Sequence, residues 1–367
     1  MTTLLHFIRW FVGLLFIFSG LVKANDPLGL SYKMQEFFEI WKWQALDPYT
    51  LFGSVVLNSF EIIAGVALIT RWAFRYVSWL LLFLILLFTL LTGYTFVTGM
   101  PKNCGCFGDC LPISSGVSFA KDVLLTLLIA ALLFLYKDDT KKIPSLSKSW
   151  PVLIATFFSL GLQLYALFYL PVVDCLPYKE GASIAEGMKM PANAVADSFA
   201  IEFTYRKNGN EIRFSASDFP ADFSSQYQFV KREDRLIRKG SNNEPPIKGF
   251  ALSGQSGADS TDAILTTEKA IWIWAASVDD HAKWSGRLAE IATAADQKGI
   301  PVFFITAQPN EAISKLRAIP LTSISVYGCD LKAIQTAARV DPTVMMVKRG
   351  GTIIKKRSLL NWRSVIE

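Results

Sequence analysis

Five apolar runs, each long enough to cross a bilayer, precede Asp174 and constrain everything else this chain can form. They cover roughly Leu4–Val22, Leu51–Thr70, Tyr76–Val97, Val117–Tyr136 and Val152–Val172. A hydrocarbon core takes about 17–25 apolar residues to span as a helix, and stretches such as Trp79–Leu91 (WLLLFLILLFTLL) contain no charge at all. The first run is too long, and lacks the small-residue cleavage site, to be read as a signal peptide. Across the 367 residues, 51% are hydrophobic and 19% charged. That balance excludes intrinsic disorder, a collagen-like fibre, a disulfide-dense mini-protein, and a soluble enzyme over the whole length. The net charge of +6 contains no long basic run, which argues against a nucleic-acid partner. With His6 and His281 the only histidines, a His-rich metal site is excluded.

Lysine and arginine collect on the cytoplasmic side of membrane proteins. Arg71 and Arg75 in the second loop, and Lys137, Lys141, Lys142 and Lys148 in the fourth, place those loops and the N-terminus inside. Loops 23–50 and 98–116 then face outward, as does everything after Asp174. In a bacterium this is a multi-pass inner-membrane protein with a periplasmic C-terminal region, and the lipid bilayer is its first partner. The five cysteines, Cys104, Cys106, Cys110, Cys175 and Cys329, all fall on that outer, oxidising side.

Two charges lie inside the apolar runs, Arg9 and Glu61. An ionisable group there costs about 2.5–3.5 kcal/mol on insertion scales, so it faces the bundle and finds a partner. The simplest expectation is an intramembrane Arg9–Glu61 pair; the functional alternative is a proton or quinone site at Glu61. Gly13, Gly20, Gly65 and Gly93 permit close helix approach. Between the first two spans, Tyr32–Trp43 (YKMQEFFEIWKW) reads as an interfacial amphipathic helix that lids the bundle.

The segment Asn103–Ser115 (NCGCFGDCLPISS) holds Cys104, Cys106 and Cys110. A disulfide across one residue closes a small ring, and strained disulfides are more oxidising and more labile than structural ones. Gly105 supplies the backbone freedom such a ring needs. Cys110 is a candidate resolving thiol and Cys175 a fourth participant. Asp109 would raise a neighbouring thiol pKa, whereas Lys102 and Lys121 would lower it. A permanent staple, a redox relay, a zinc site completed by Cys175, and inert thiols all remain open at this level.

The run CGCFG at Cys104–Gly108, between the third and fourth of four helices, resembles the MauE methylamine-utilisation membrane proteins. Arg9, Phe18-Ser19-Gly20 followed by Lys23, and Glu61 are similar to the related DoxX-like proteins. The resemblance covers roughly residues 1–140. It implies a four-helix bundle, akin in outline to vitamin K epoxide reductase, linked to periplasmic disulfide formation or to a redox partner. This chain departs from a bare MauE by its fifth helix and all that follows.

Beyond Ser198 the patterning changes. Phe199–Tyr205 alternates as a half-buried strand, Asn208-Gly209 marks a hairpin turn, and Glu211–Phe214 returns. With Tyr227–Ile237 these form a β-rich module, while 241–246 and 253–261 read as exposed loop. After Ala263 strands and helices alternate as β-α-β-α-β-α, then a hairpin turned at Gly350-Gly351, which implies helices packed on a central sheet. Trp272-Ile273-Trp274-Ala275 and Asp341-Pro342-Thr343 resemble a thioredoxin-like fold of the TlpA/ResA or peroxiredoxin-like branch over residues 263–363. The resemblance implies a cis-proline at Pro342 bordering the active site. Where that family carries C-x-x-C, this chain has Ala276–His281 (ASVDDH), so the domain cannot run dithiol exchange alone. Cys329 reads as a partly buried free thiol and His281 as a surface helix residue.

The expected organisation is thus 1–140, a MauE/DoxX-like transmembrane bundle; 141–176, a linker and fifth transmembrane helix; 177–262, a β-rich periplasmic module; and 263–367, a degenerate thioredoxin-like α/β domain. The expected function is thiol/disulfide exchange through Cys104, Cys106 and Cys110, with Cys175, toward a periplasmic or membrane redox partner protein, with a quinone as candidate cofactor. The rival is a non-enzymatic scaffold with a structural disulfide and a partner-binding domain.

Overall fold

A computed structural model describes residues 2–101, 105, 107–111, 113–136, 149–215, 217–220, 222–238, 240, 242–316 and 324–367. Cys104 and Cys106, and the lysines at 137, 141, 142 and 148, lie outside the described residues.

Among the described residues, five helices are long and apolar enough to cross a membrane: α1 (Thr2–Ala24), α3 (Thr50–Thr70), α4 (Phe74–Thr98), α5 (Ser115–Leu135) and α6 (Trp150–Tyr169). At ~1.5 Å per residue, twenty residues span the ~30 Å hydrocarbon core. Val12, Phe16, Leu68, Leu81, Ile85, Ile129 and Leu132 are buried between the helices, whereas Phe83, Leu90 and Phe157 point outward. This is a multi-pass membrane protein. The α1–α3 contact depends on glycine. A Cβ on Gly65 would come within 2.6 Å of the Gly13 carbonyl oxygen, and one on Gly20 within 2.6 Å of the Ile62 side chain.

The segment between α1 and α3 forms α2 (Pro27–Trp41). It begins five residues before the expected Tyr32, because Asp26 caps it by accepting from the Gly29 N–H at 3.0 Å and Pro27 fits the first turn. Ser54 Oγ donates to the Pro27 carbonyl at 2.7 Å, and Ser31 Oγ to Thr50 Oγ1 at 2.9 Å. These bonds seat α2 on the start of α3. At its far end Trp41 meets the rings of Phe37, Trp43 and Tyr94, tilted or edge-on.

The region after α6 holds two sheets. A short helix, α7 (Ile184–Gly187), precedes β1 (Ser198–Lys207), β2 (Asn210–Ser215) and β3 (Gln228–Arg238), an antiparallel sheet in the order β2-β1-β3. Asn208 and Gly209 both have positive φ, as a two-residue hairpin turn requires. One face of this sheet carries an aromatic cluster built on Tyr205, Phe214, Phe219, Phe223 and Tyr227.

Next come α8 (Thr261–Leu265), β4 (Lys269–Ala275), α9 (His281–Gln297), β5 (Val302–Thr306), α10 (Pro309–Leu316), β6 (Ile324–Gly328), α11 (Leu331–Ala337), β7 (Thr343–Lys348), β8 (Thr352–Ser358) and α12 (Arg363–Ile366). The sheet order is β6-β5-β4-β7-β8, with β4, β5 and β6 parallel and β7 and β8 antiparallel to their neighbours. Both faces are covered, so β4 and β5 read as continuous apolar runs. Trp284, Leu288 and Ile291 of α9 cover one face. Tyr178, Ile184, Ile247, Phe250 and Leu252 cover the other, over Trp272 and Trp274. The stretches flanking the small sheet therefore belong to the core of the large one. Residues 253–261 form a loop exposed over 255–259 and held at its ends: Ser253 exchanges backbone hydrogen bonds with Gly328, and Thr261 is buried.

Candidate functional site

The end of the bundle that carries the cysteine loop is capped by α2 and by the large sheet domain. One arginine joins all three. Arg339 lies between α11 and β7 with only 5% of its side chain exposed. Its Nε donates to Asp26 Oδ2 at 2.8 Å, its Nη2 to Asp109 Oδ2, and its Nη1 to the Gln335 carbonyl at 2.7 Å. Its guanidinium also stands 5.4 Å from the Tyr32 ring centre. Burial works against the Arg339 charge, but Asp26 and Asp109 outweigh it and hold its pKa above the usual value. For Asp26 burial wins instead, lifting its carboxyl above the ordinary range despite Arg339. A planar fork with several donors suits two carboxylates on different segments.

A second set of contacts fixes the exit of α6. Asn25 exchanges side-chain hydrogen bonds with the Val173 backbone at 2.8 and 3.0 Å. Lys356 of β8, almost fully buried, reaches Asp174 at 2.8 Å. Between these two anchorages Cys110 and Cys175 form a disulfide, with 65 residues separating them in sequence. Both cysteines are half-buried. A cleft of about 1010 Å³ runs between the bundle and the domain, bordered by Tyr32, Glu36, Asp109, Cys175 and Arg339. Cys175 lines this cleft, and so do Asp109 and Leu111 on either side of Cys110.

The intramembrane charges pair differently from the expectation. Glu61 is bound to Lys23, not to Arg9, and both partners are almost fully buried. Arg9 donates to the Leu68 and Ile69 carbonyls. The reason is register. Helices α1 and α3 run in opposite directions, with Gly20 against Ile62 and Gly13 against Gly65. Glu61 therefore lies level with the last turns of α1. Arg9, eleven residues before Gly20, is about 17 Å further along the axis at 1.5 Å per residue. Lys121 and Thr92 both reach the buried Asp122, Thr92 Oγ1 at 3.0 Å.

In the large domain the Asp341–Pro342 bond is cis. The Ser277 N–H donates to Asp341 Oδ2 at 3.3 Å, which brings the ASVDDH turn against the same edge. The Met100–Pro101 bond is also cis. His281 opens α9. Cys329 is a free, half-buried thiol beyond β6, and burial pushes its pKa up to about 11. Against an ordinary value of 9.0, that leaves roughly a hundredfold less thiolate at pH 8. Alkylation of Cys329 by iodoacetamide is therefore expected to climb about tenfold per pH unit from pH 8 to 10. A rate that levels off by pH 9 would contradict this environment.

Sequence reasoning missed Arg339, Asp26 and the Asp174–Lys356 pair as site residues. Each is a single charge beside a helix end or turn, and only the packing of the domain on the bundle brings them together.

Residues 1–135 match the family model of the methylamine utilisation protein MauE, and residues 199–239 match that of a domain of unknown function (DUF8463). No curated protein and no solved structure matches the chain. The N-terminal bundle through α5 is accordingly MauE-like; α6 and the large sheet domain lie outside both matches.

Proposed function

We propose that this protein is a membrane thiol–disulfide relay, with its cysteine loop and C-terminal domain on the periplasmic side of a bacterial inner membrane. The observation that carries the reading is the Cys110–Cys175 disulfide, half-buried beside the cleft, in the loop that also holds Cys104 and Cys106. The MauE match supports a redox-associated membrane setting.

In the proposed cycle, a partner-protein thiolate entering the cleft attacks the disulfide at one sulfur. The other cysteine leaves as a thiolate and takes up a proton. A second partner thiol then resolves the mixed disulfide. The partner is oxidised to a disulfide, and Cys110 and Cys175 are reduced by two electrons. Exchange with a Cys104–Cys106 disulfide passes that electron pair along the loop. In this reading the β4–β8 domain, an α/β unit with a five-stranded mixed sheet and a cis Asp341–Pro342 bond, is a thioredoxin-like unit without a thiol in its Ala276–His281 turn. Its role is docking: it covers the loop and forms one wall of the cleft.

A scaffold with a structural disulfide is the competing reading, favoured by the 65-residue separation that the bridge closes. The two separate when the purified full chain is equilibrated across glutathione redox buffers and its thiols are counted with a mass tag. The relay predicts that Cys104 and Cys106 change state within the range, and that a Cys175→Ala chain carries glutathione on Cys110. A single oxidised pair that never changes, with no adduct in the variant, would establish the staple.

A further inference from the structure

The two cysteines of the bridge share one local arrangement. Cys110 follows Asp109, and Cys175 follows Asp174. Each aspartate is held by a cation of the large sheet domain: Asp109 by Arg339, and Asp174 by Lys356 at 2.8 Å. Both cations are almost fully buried. They belong to one cluster, since Arg339 and Asp26 lie close enough to act on the Lys356 charge. The corner between α1 and α2 meets the same two segments from the bundle side. Asp26 shares Arg339 with Asp109, and Asn25 holds the Val173 backbone two residues before Cys175.

A buried ion pair adds little net stability over an apolar contact of the same size, so two of them beside one disulfide point to placement rather than strength. An ion pair on the preceding residue leaves each cysteine about 3.8 Å of chain from a fixed point. Two thiols held in this way meet at a high effective concentration, and the order that ring closure needs is already in place. A segment released from its cation loses that advantage. Its freed carboxylate also raises the pKa of the thiol beside it.

We propose that Arg339 and Lys356 are positioning residues for the Cys110–Cys175 pair, so that docking of the large domain sets how strongly the two thiols favour the disulfide. The proposal deepens the relay reading and rests on it for its purpose, because a relay works at a set equilibrium and a staple does not require one. Linkage makes the effect reciprocal: if docking favours the disulfide, reduction of the disulfide loosens the domain by the same factor.

The test equilibrates the purified full chain in detergent with mixtures of reduced and oxidised dithiothreitol and counts thiols by mass tag. Cys104, Cys106 and Cys329 are changed to Ser, so that the bridge alone is read. Reduction breaks the S–S bond and gives two thiols; dithiothreitol supplies the two electrons and two protons and closes to its own disulfide. Arg339→Ala and Lys356→Met should each shift the equilibrium toward the thiols by about tenfold or more, within the usual range of coupling between sites. Asp109→Asn leaves Arg339 its bond to Asp26, and so disturbs folding least. It should shift the equilibrium the same way by about fivefold. Leu288→Ala weakens the core under α9 without touching either pair, and should leave the equilibrium where it was. Reduction of the bridge should also raise hydrogen exchange in the peptides carrying Arg339 and Lys356. Folding of each variant is checked by monodispersity and thermal unfolding. An unshifted equilibrium in Asp109→Asn, or in folded Arg339→Ala and Lys356→Met chains, would overturn the proposal. So would an equal shift in Leu288→Ala, or exchange on the domain side that ignores reduction. Failure of the relay itself is read separately, from the states of Cys104 and Cys106 in the wild-type chain.

Discussion

Replacing Arg339 with alanine should free the large sheet domain from the cysteine loop. The change removes the group that joins Asp26 and Asp109 among the described residues, and leaves two carboxylates facing each other at a half-closed interface. Breaking a buried ion pair from one side typically costs about 3–5 kcal/mol, mostly because the remaining charge is left uncompensated. Here part of that cost is relieved by undocking, since the domain keeps its own core on both faces of the sheet. The expected result is faster hydrogen exchange, by tenfold or more, in the peptides carrying Asp109 and the first turn of α2, with little change in β4 and β5. Arg339→Lys should not restore protection, because one ammonium cannot serve carboxylates on two separate segments through a fixed fork. Restoration by lysine, or exchange that does not change in the alanine variant, would show that the arginine does not hold the docked state.

Lys23→Met should destabilise the bundle by a similar amount. Glu61 would keep its charge in an almost fully buried position with no cation beside it, and removing one partner of such a pair costs about 3–5 kcal/mol. A lower thermal midpoint in detergent and reduced membrane yield are expected. The double change Lys23→Met/Glu61→Gln should recover most of the loss, because neither charge is then stranded. Arg9→Met, in contrast, should not be rescued by Glu61→Gln, since Arg9 serves the carbonyls that end α3. Rescue of Arg9→Met by Glu61→Gln would return the pairing to Arg9.

The difference between what was legible in the sequence and what was not follows from which interactions are local. Span positions were legible because hydrocarbon requires an unbroken apolar run, and the helices lie within a few residues of those runs. The strand Lys269–Ala275 was legible because a strand buried on both faces is apolar throughout. The Asn208-Gly209 turn was legible because few residue pairs accept positive φ twice in succession. The Arg9–Glu61 expectation placed both residues at a depth but could not fix the register of two antiparallel helices, which the Gly20–Ile62 and Gly13–Gly65 contacts set. The Cys110–Cys175 bridge depends on where the exit of α6 comes to rest, 65 positions on, and the Arg339 network on a domain 150 residues or more downstream of the loop. No local pattern encodes that, which is why Asp26 read as an ordinary helix cap and Asp109 only as a neighbour of thiols.

The central claim is that the loop cysteines turn over. The most direct measurement is acid-quenched thiol trapping in intact cells, with mass-tag alkylation of the wild-type chain and of chains with Cys104, Cys106, Cys110 or Cys175 changed singly to Ser. The relay predicts a mixed population at Cys104 and Cys106 that shifts when reductant is added, and a covalent adduct to a second protein when Cys110 or Cys175 is left without its partner. A fully oxidised Cys110–Cys175 pair in every sample, with Cys104 and Cys106 in one fixed state and no adduct in any variant, would contradict it.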